Sequence, residues 1–123
     1  MKKKKNILPS LTYLEHLLDA IAHIKKYTVD MGEATFLNHE MAQDAVICNI
    51  EILGEAANNI QQYYPKLAKQ YSDIPWDDIY LMRNKITHDY HTIDFEMVWK
   101  VIENDLPLLE HQIKEIYQNH FSD

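Results

Sequence analysis

The stretch VICNIEILGEAANNIQQYY, residues 46–64, repeats apolar side chains at the spacing of an α-helix. The steps between successive apolar residues are four, three, four, three and four, at Val46, Ile50, Leu53, Ala57, Ile60 and Tyr64. This pattern predicts one long helix whose packing seam extends for about five turns. Gly54, Ala56 and Ala57 are small, so another helix could approach closely beside them. The seam could belong to the core of a single chain or include a dimer surface, and the sequence leaves both readings open.

Proline and capping residues define where the neighbouring helices begin and end. Asn38 is predicted to cap the long helix, and Pro65 to end it because proline lacks a backbone N–H. Ser10 is predicted to cap a first helix over residues 11–26. A helical turn is expected at residues 33–37, and a short helix at residues 66–71. The predicted buried face of the first helix consists of Leu14, Leu17, Leu18, Ile21 and Ile24.

Two further helices are predicted towards the end of the chain. Pro75 should occupy the first position of one helix, which runs out near residues 88–90. Asp94 should cap the last helix, and Pro107 should kink or divide it. The buried stripe expected there consists of Phe95, Val98, Trp99, Ile102, Leu106, Leu109, Ile113 and Ile116. No segment reads as a convincing strand, so the sequence predicts an all-α, four- to five-helix up-and-down bundle without a sheet.

Length and charge limit the domain count and the classes of partner. A chain of 123 residues predicts one domain, here residues 10–123, behind a flexible lysine-rich tail at residues 1–9. The net charge is −7, and the four lysines of the tail contribute +4, so residues 6–123 carry −11. Such an acidic chain does not suit a protein that coats nucleic acid broadly, since phosphate contacts dominate that binding. Nucleic-acid chemistry would need a small local site.

The single cysteine and the absence of long apolar runs indicate a cytoplasmic protein. Because Cys48 is the only cysteine, the chain cannot form an internal disulfide. Cys48 lies among apolar neighbours and is predicted to be a buried packing thiol. The start of the chain does not read as a signal peptide, because proline, serine and glutamate interrupt its apolar segment. No run approaches the roughly 18 apolar residues that span a bilayer, so no membrane association is expected.

A second stretch, MRNKITHDY at residues 82–90, carries candidate chemistry. Arg83 is the only arginine of the chain, and its planar fork of donors fits a phosphate in a way that lysine cannot reproduce. His88 can exchange protons near neutral pH. Metal-free RNA cleavage needs a base, an acid and a cation beside the phosphate, so one arginine and one histidine form the minimum set. A symmetric dimer would supply two histidines.

Helical geometry restricts how Arg83 and His88 could cooperate. Residues five apart lie about 140° apart around a regular helix, whereas Asn84 and His88 share a face. A joint site requires the helix to end or distort before His88, or a second subunit to complete it. Simpler readings remain: Arg83 could pair with a carboxylate, His88 could favour the helix C-terminus, and Tyr90 could only pack its ring. No metal-binding or cofactor-binding motif is found, so neither a metal nor a cofactor is expected.

The segment RNKITHDY resembles the Arg-x4-His-x-Tyr signature of the HepT-like toxins in the HEPN superfamily, and Asn84 also fits that pattern. The resemblance extends to QDAVICNIEILGEAANNI, to IPWDDIYLMRN and to IDFEMVWKVIENDLPLLEHQI, which together cover most of residues 10–117. Glu55 matches a recurrent acidic position of the family. It could orient Arg83, or it could form a buried Arg–Glu pair that only supports the fold.

The resemblance implies an all-helical, homodimeric, metal-independent ribonuclease toxin of the cytoplasm that cleaves RNA, in some members tRNA. Arg83 and His88 would be the catalytic pair, and Asn84 an orienting or substrate-contacting residue. The implied partner is a nucleotidyltransferase antitoxin of the MNT type, and Tyr90 matches the tyrosine that this partner modifies with AMP. The alternative is a helical binding protein that serves as the substrate subunit of a nucleotidyltransferase without cleaving RNA.

Overall fold

The computed structural model describes the backbone of residues 2–121 and the side chains of residues 10–120. Over this range the chain is helical with no strand, which confirms the all-α prediction. Seven α-helices follow one another: α1 (Lys2–Tyr27), α2 (Glu33–Leu37), α3 (Glu40–Tyr63), α4 (Pro65–Gln70), α5 (Trp76–His88), α6 (Phe95–Lys100) and α7 (Leu106–Phe121). A 3₁₀ turn (Tyr90–Thr92) follows α5, and a π turn (Val101–Asp105) joins α6 to α7. None of these helices is long and apolar enough to cross a membrane.

Helix α3 occupies the centre of the bundle, between α1 and α5, while α1 also packs against α7. The predicted seam of α3 faces this core. Its first five residues are 0–3% exposed and Tyr64 is half-buried. The seam therefore serves the core of a single chain, and its buried side chains are not available to a dimer surface. The five buried seam residues are Val46, Ile50, Leu53, Ala57 and Ile60.

Helix α1 begins earlier than the sequence predicted, at Lys2. Ser10 therefore lies inside the helix, 2% exposed, and the predicted N-cap there is wrong. Residues 2–9 extend the helix by about two turns; the lysines are good helix formers, whereas Pro9 removes one backbone N–H from it. Flexibility of residues 1–9 stays a prediction. The predicted buried face is confirmed, with four of its residues fully buried and Leu18 half-buried.

Two predictions about α3 are wrong. The N-cap is His39, whose Nδ1 accepts a hydrogen bond from the Ala42 N–H at 3.1 Å. Asn38 is instead the C-cap of α2. Cys48 is exposed. Its immediate neighbours in the chain are apolar or buried, but each helical step rotates a side chain by about 100°, so Cys48 points away from the core. The end of α3 before Pro65 is confirmed.

Helix α5 ends at His88, within the predicted range, and Asp89 is its C-cap. Pro75 holds the N-cap position instead of the first helical position, because the helix begins one residue later at Trp76. The Trp76 side chain is buried, and its indole N–H donates to the carbonyls of Ala68 and Tyr71, each at 3.2 Å. This anchor connects the start of α5 to the region around α4.

Pro107 divides the last helix as predicted. The N–H of Leu106 bonds to the carbonyl of Val101, five residues earlier, which gives the π turn immediately before the proline. Because Pro107 lacks an N–H and its ring crowds the preceding turn, the regular ladder cannot continue through this position. The predicted stripe is otherwise confirmed, since only Phe95 and Ile102 among its residues are half-buried.

Replacing Asp94 with alanine is expected to lower the free energy of unfolding by about 0.5–2 kcal/mol. The Asp94 carboxylate caps α6 by accepting hydrogen bonds from the N–H groups of Glu96 at 3.0 Å and Met97 at 3.2 Å. Urea denaturation followed by circular dichroism measures the change. Asp94→Asn, which keeps a capping oxygen, should remain close to wild type. Equal losses in the two variants would contradict the capping role.

Candidate functional site

Gly54 of α3 allows α5 to approach closely at Arg83. A Cβ atom at Gly54 would lie 2.2 Å from the Arg83 Cβ and 2.6 Å from its Cγ. The sequence predicted a close helix approach beside this small residue, and α5 is that helix. The first carbons of the Arg83 side chain therefore pass directly over the α3 backbone. The guanidinium is positioned by helix packing and not by a loop.

The guanidinium of Arg83 is held on one side by its neighbour. Nη1 donates to the Asn84 Oδ1 at 3.0 Å, so these two motif residues are in contact. The Nε atom is buried, with no hydrogen-bond partner among the described residues. The side chain as a whole is 29% exposed. A buried N–H of a charged group without a partner costs free energy, so packing at α3 must hold this conformation.

Glu55 is a weak ion-pair partner for Arg83. Its Oε2 lies 3.9 Å from the Arg83 Nη2, too far for a hydrogen bond, and the Glu55 side chain is 53% exposed. The buried Arg–Glu pair considered from the sequence is therefore not what the structure contains. A solvated pair of this kind contributes about 0–1 kcal/mol. No carboxylate among the described side chains binds the Arg83 guanidinium in a bidentate manner.

His88 is the last residue of α5 and is exposed. The helix stays regular from Arg83 to His88, so the predicted alternative of a helix end or distortion between them is not what is seen. Their side chains leave the helix about 140° apart and about 7.5 Å apart along its axis. Within one protomer, the Arg83 side chain contacts Asn84, whereas the His88 side chain leaves α5 on a different side of the helix. The other arrangement considered from the sequence is a site that a second subunit completes.

Tyr90 lies on the 3₁₀ turn and is 53% exposed. Its hydroxyl donates to the Asp44 Oδ1 of α3 at 3.3 Å, and its ring meets the His91 ring edge to face, with centroids 5.8 Å apart. The pKa of Tyr90 is raised above its usual value, chiefly by the charge of Asp44, with further contributions from Glu40 and Glu51. Tyr90 is therefore an accessible phenol that stays protonated, beside a carboxylate.

The sequence pointed to Glu55 but not to the other members of the acidic row of α3, which we define as Glu40, Asp44, Glu51 and Glu55. Three of its members reach the motif: Asp44 accepts from Tyr90, Glu51 Oε1 lies 2.9 Å from the Thr87 hydroxyl, and Glu55 faces Arg83. Steps of four, seven and four residues place the row along one side of a helix. That spacing was readable in the sequence, but it could not reveal that α5 lies beside this side.

Across the described part of the chain, no group of three or more histidine, cysteine, aspartate or glutamate side chains is arranged to bind a metal ion. His88, His91 and Asp94 are close in sequence, but the Asp94 carboxylate serves as the cap of α6. The chemistry that the residues offer at this end of α5 is thus a guanidinium, an amide, an imidazole and a phenol.

Comparisons with known proteins cover nearly the whole chain. A family model described as "Ribonuclease HepT-like" matches residues 17–116. A "Gamma-glutamylcyclotransferase and putative RNase" of Methanocaldococcus jannaschii is 36% identical over 86% of this chain, which spans only 46% of that relative. A "Probable ribonuclease HepT" of Thermococcus cleftensis is 34% identical over 85% of this chain and 92% of its own length.

A "Putative RNase" of Caldanaerobacter subterraneus subsp. tengcongensis is 30% identical, over 86% of this chain and 92% of its own. No solved structure matches. The family match extends from α1 to α7, includes the whole of α5 and the motif, and is accompanied by two relatives of nearly the same extent. The chain belongs to the HepT-like ribonuclease family.

Proposed function

We propose that this protein is a metal-independent endoribonuclease that cleaves RNA with Arg83 and His88. The proposal is based chiefly on the environment of the Arg83 guanidinium. It is partly exposed, oriented by Asn84, and separated from the Glu55 carboxylate by 3.9 Å, so it retains donors for a phosphate. The ribonuclease descriptions of the family and of relatives support the same reading.

In the proposed reaction the 2′-hydroxyl of RNA attacks the adjacent phosphorus, and the 5′-oxygen of the next nucleotide leaves. His88 carries a proton in one of the two transfers, since histidine is the side chain that most often serves as a general acid or base. Arg83 stabilises the negative charge that grows on the phosphoryl oxygens, and its fork can contact two of them. Asn84 acts through Arg83, as a positioning residue, by accepting the Nη1 hydrogen bond.

The proposed active form is a homodimer, because one protomer separates the catalytic pair around α5. Because α5 is regular, Arg83 and His88 of the same chain leave it about 140° apart. A twofold axis near α5 would place the histidine of each chain beside the arginine of the other. The dimer would thereby contain two equivalent sites, each with one arginine and one histidine.

The proposed biological role is the toxin of a toxin–antitoxin pair in the cytoplasm. Its partner would be an MNT-type nucleotidyltransferase that attaches AMP to Tyr90. The exposure of Tyr90 and its place two residues after His88 support this. An attached nucleotide adds negative charge and bulk beside the catalytic pair, where it would oppose the entry of an RNA phosphate.

RNA cleavage by purified protein is the direct test of the ribonuclease proposal. Unmodified, dimeric wild type should cut total tRNA or mRNA in the presence of EDTA. Boiled protein and His88→Ala serve as controls for contaminating nucleases. If the wild-type dimer leaves every RNA intact, the proposal fails. If EDTA alone abolishes cleavage, metal independence fails while nuclease activity stands.

A second candidate function, that of a nucleotidyltransferase substrate subunit, is favoured by the accessible Tyr90 hydroxyl. Incubation with an MNT-type nucleotidyltransferase, ATP and Mg²⁺ should raise the intact mass by about 329 Da per AMP group. Tyr90→Phe should remove the first increment, and Tyr63→Phe, a change at another exposed tyrosine, should not. An increment that persists in Tyr90→Phe would exclude Tyr90 as the acceptor.

A further inference from the structure

The structure places one carboxylate in contact with the atom that would be modified. The Tyr90 hydroxyl oxygen, on the 3₁₀ turn, lies 3.3 Å from the Asp44 Oδ1 of α3. We propose that Asp44 is the general base that removes the phenolic proton when the Tyr90 hydroxyl attacks a phosphoryl donor. This inference rests on the proposed modification of Tyr90 and adds that the toxin itself supplies the proton acceptor.

The geometry suits a base because the two partners are held by separate elements. Asp44 sits in the second turn of α3, the central helix of the bundle, while Tyr90 sits on the 3₁₀ turn beyond the end of α5. Asp44 is itself exposed and Tyr90 is half-exposed. The carboxylate therefore occupies one side of the hydroxyl and leaves another side open to an incoming phosphorus atom.

The charges around Tyr90 disfavour its phenolate form. Asp44 of α3 contacts the phenol, Glu40 and Glu51 of the same helix act on it through their charge, and His91 contacts it from its own turn. The carboxylates raise the pKa of Tyr90, chiefly through Asp44, so the free phenolate is rarer at neutral pH than for an ordinary tyrosine. Without assistance, Tyr90 would be a slower nucleophile than a tyrosine in plain solvent.

The proposed step balances without any further reactant than a nucleoside triphosphate. A bond forms between the Tyr90 oxygen and the α-phosphorus, and the bond from that phosphorus to the bridging oxygen breaks. Pyrophosphate leaves with the bonding electron pair. The phenolic proton passes to Asp44 and then to water, and it is transferred as the oxygen becomes acidic during bond formation, which is how a weak base can assist a phenol.

A small phosphoryl electrophile tests this step without any partner enzyme. Diisopropyl fluorophosphate forms the same oxygen–phosphorus bond and releases fluoride, and peptide mass spectrometry gives the labelling rate of each tyrosine. The full-length protein is used at pH 7.5. Tyr63, which is 64% exposed, is the internal reference. Tyr90 should react at least about ten-fold faster than Tyr63, although its raised pKa alone would make it slower.

Asp44→Asn separates a base from a hydrogen-bond anchor, because asparagine still accepts a hydrogen bond but cannot take the proton. Labelling of Tyr90 should fall by about ten-fold or more, and its rate should then rise about ten-fold per pH unit, as expected for reaction through free phenolate. Glu40→Gln is the matched control, since it removes one nearby carboxylate that has no hydrogen bond to Tyr90, and it should leave the rate near wild type.

Three results would overturn the inference: a Tyr90 rate at or below that of Tyr63, an unchanged rate in Asp44→Asn, or equal losses in Asp44→Asn and Glu40→Gln. The nucleotidyltransferase reaction with ATP separates this outcome from the proposed function. If that enzyme modifies wild type and Asp44→Asn equally fast, the base is wrong and the modification stands. If it modifies neither, while Asp44 accelerates the fluorophosphate reaction as expected, the modification is wrong and the base stands.

Discussion

Replacing His88 with alanine is expected to lower the rate of RNA cleavage by about 10²–10⁴-fold, the usual contribution of a positioned acid or base. His88 is exposed at the last position of α5, so its loss removes a proton carrier and little packing. Single-turnover cleavage of a labelled RNA in EDTA measures the effect. His111→Ala, at another exposed histidine, is the matched control and should cleave at the wild-type rate.

Arg83→Lys should reduce the same rate by about 10²–10³-fold, because lysine keeps the charge but loses the fork that meets two phosphoryl oxygens. It also loses the Nη1 contact to Asn84. The thermal midpoint of each variant separates loss of chemistry from loss of fold. Cleavage by Arg83→Lys at the wild-type rate would remove the guanidinium from the mechanism.

Mixing the two inactive variants tests whether the site is shared between protomers. In a dimer that pairs the Arg83 of one chain with the His88 of the other, a mixed dimer of Arg83→Lys and His88→Ala regains one intact pair out of two. Since half of the dimers in an equal mixture are mixed, about a quarter of wild-type activity should return after subunit exchange. No recovery, with mixed dimers present by native mass spectrometry, would mean that each chain supplies its own pair.

The helices could be read from the sequence where periodicity and proline define them. The seam of α3 is a local pattern, and Pro65 and Pro107 act on their own helices, so no tertiary information was needed. The first residues of the helices could be predicted less well. His39 caps α3 in place of Asn38 because the choice depends on backbone direction at the α2–α3 turn, which neighbouring residues do not specify.

The site could be predicted from the sequence only for the residues of α5 and of the turn that follows it. Arg83, Asn84, His88 and Tyr90 stand close in sequence, and the contact between Arg83 and Asn84 is local. The acidic row depends on how α3 is rotated against α5, which no local pattern reports. The exposure of Cys48 has the same origin: it lies four residues after Asp44 and so shares that side of α3, whereas its apolar sequence neighbours face the core.

Gly54→Ala is expected to destabilise the fold by about 1–3 kcal/mol, and to reduce RNA cleavage by more than the loss of folded protein explains. Alanine at an ordinary helix position would add up to about 1 kcal/mol of stability. Here its Cβ would lie 2.2 Å from the Arg83 Cβ, and that atom is fixed to the α5 backbone, so the helices must separate. A displacement of about 1 Å at a catalytic group can cost about 10²-fold in rate.

A double-mutant cycle with Arg83→Gly isolates this contact. Removing the Arg83 side chain removes the Cβ and Cγ atoms that meet the new methyl group, and the next nearest atom, the Ile79 carbonyl oxygen, lies at an ordinary 3.4 Å. In that background Gly54→Ala should become stabilising, because the helix propensity of alanine is then unopposed. Urea unfolding of the four proteins gives the coupling. If Gly54→Ala has the same effect in both backgrounds, the Arg83–Gly54 contact does not set the distance between α3 and α5.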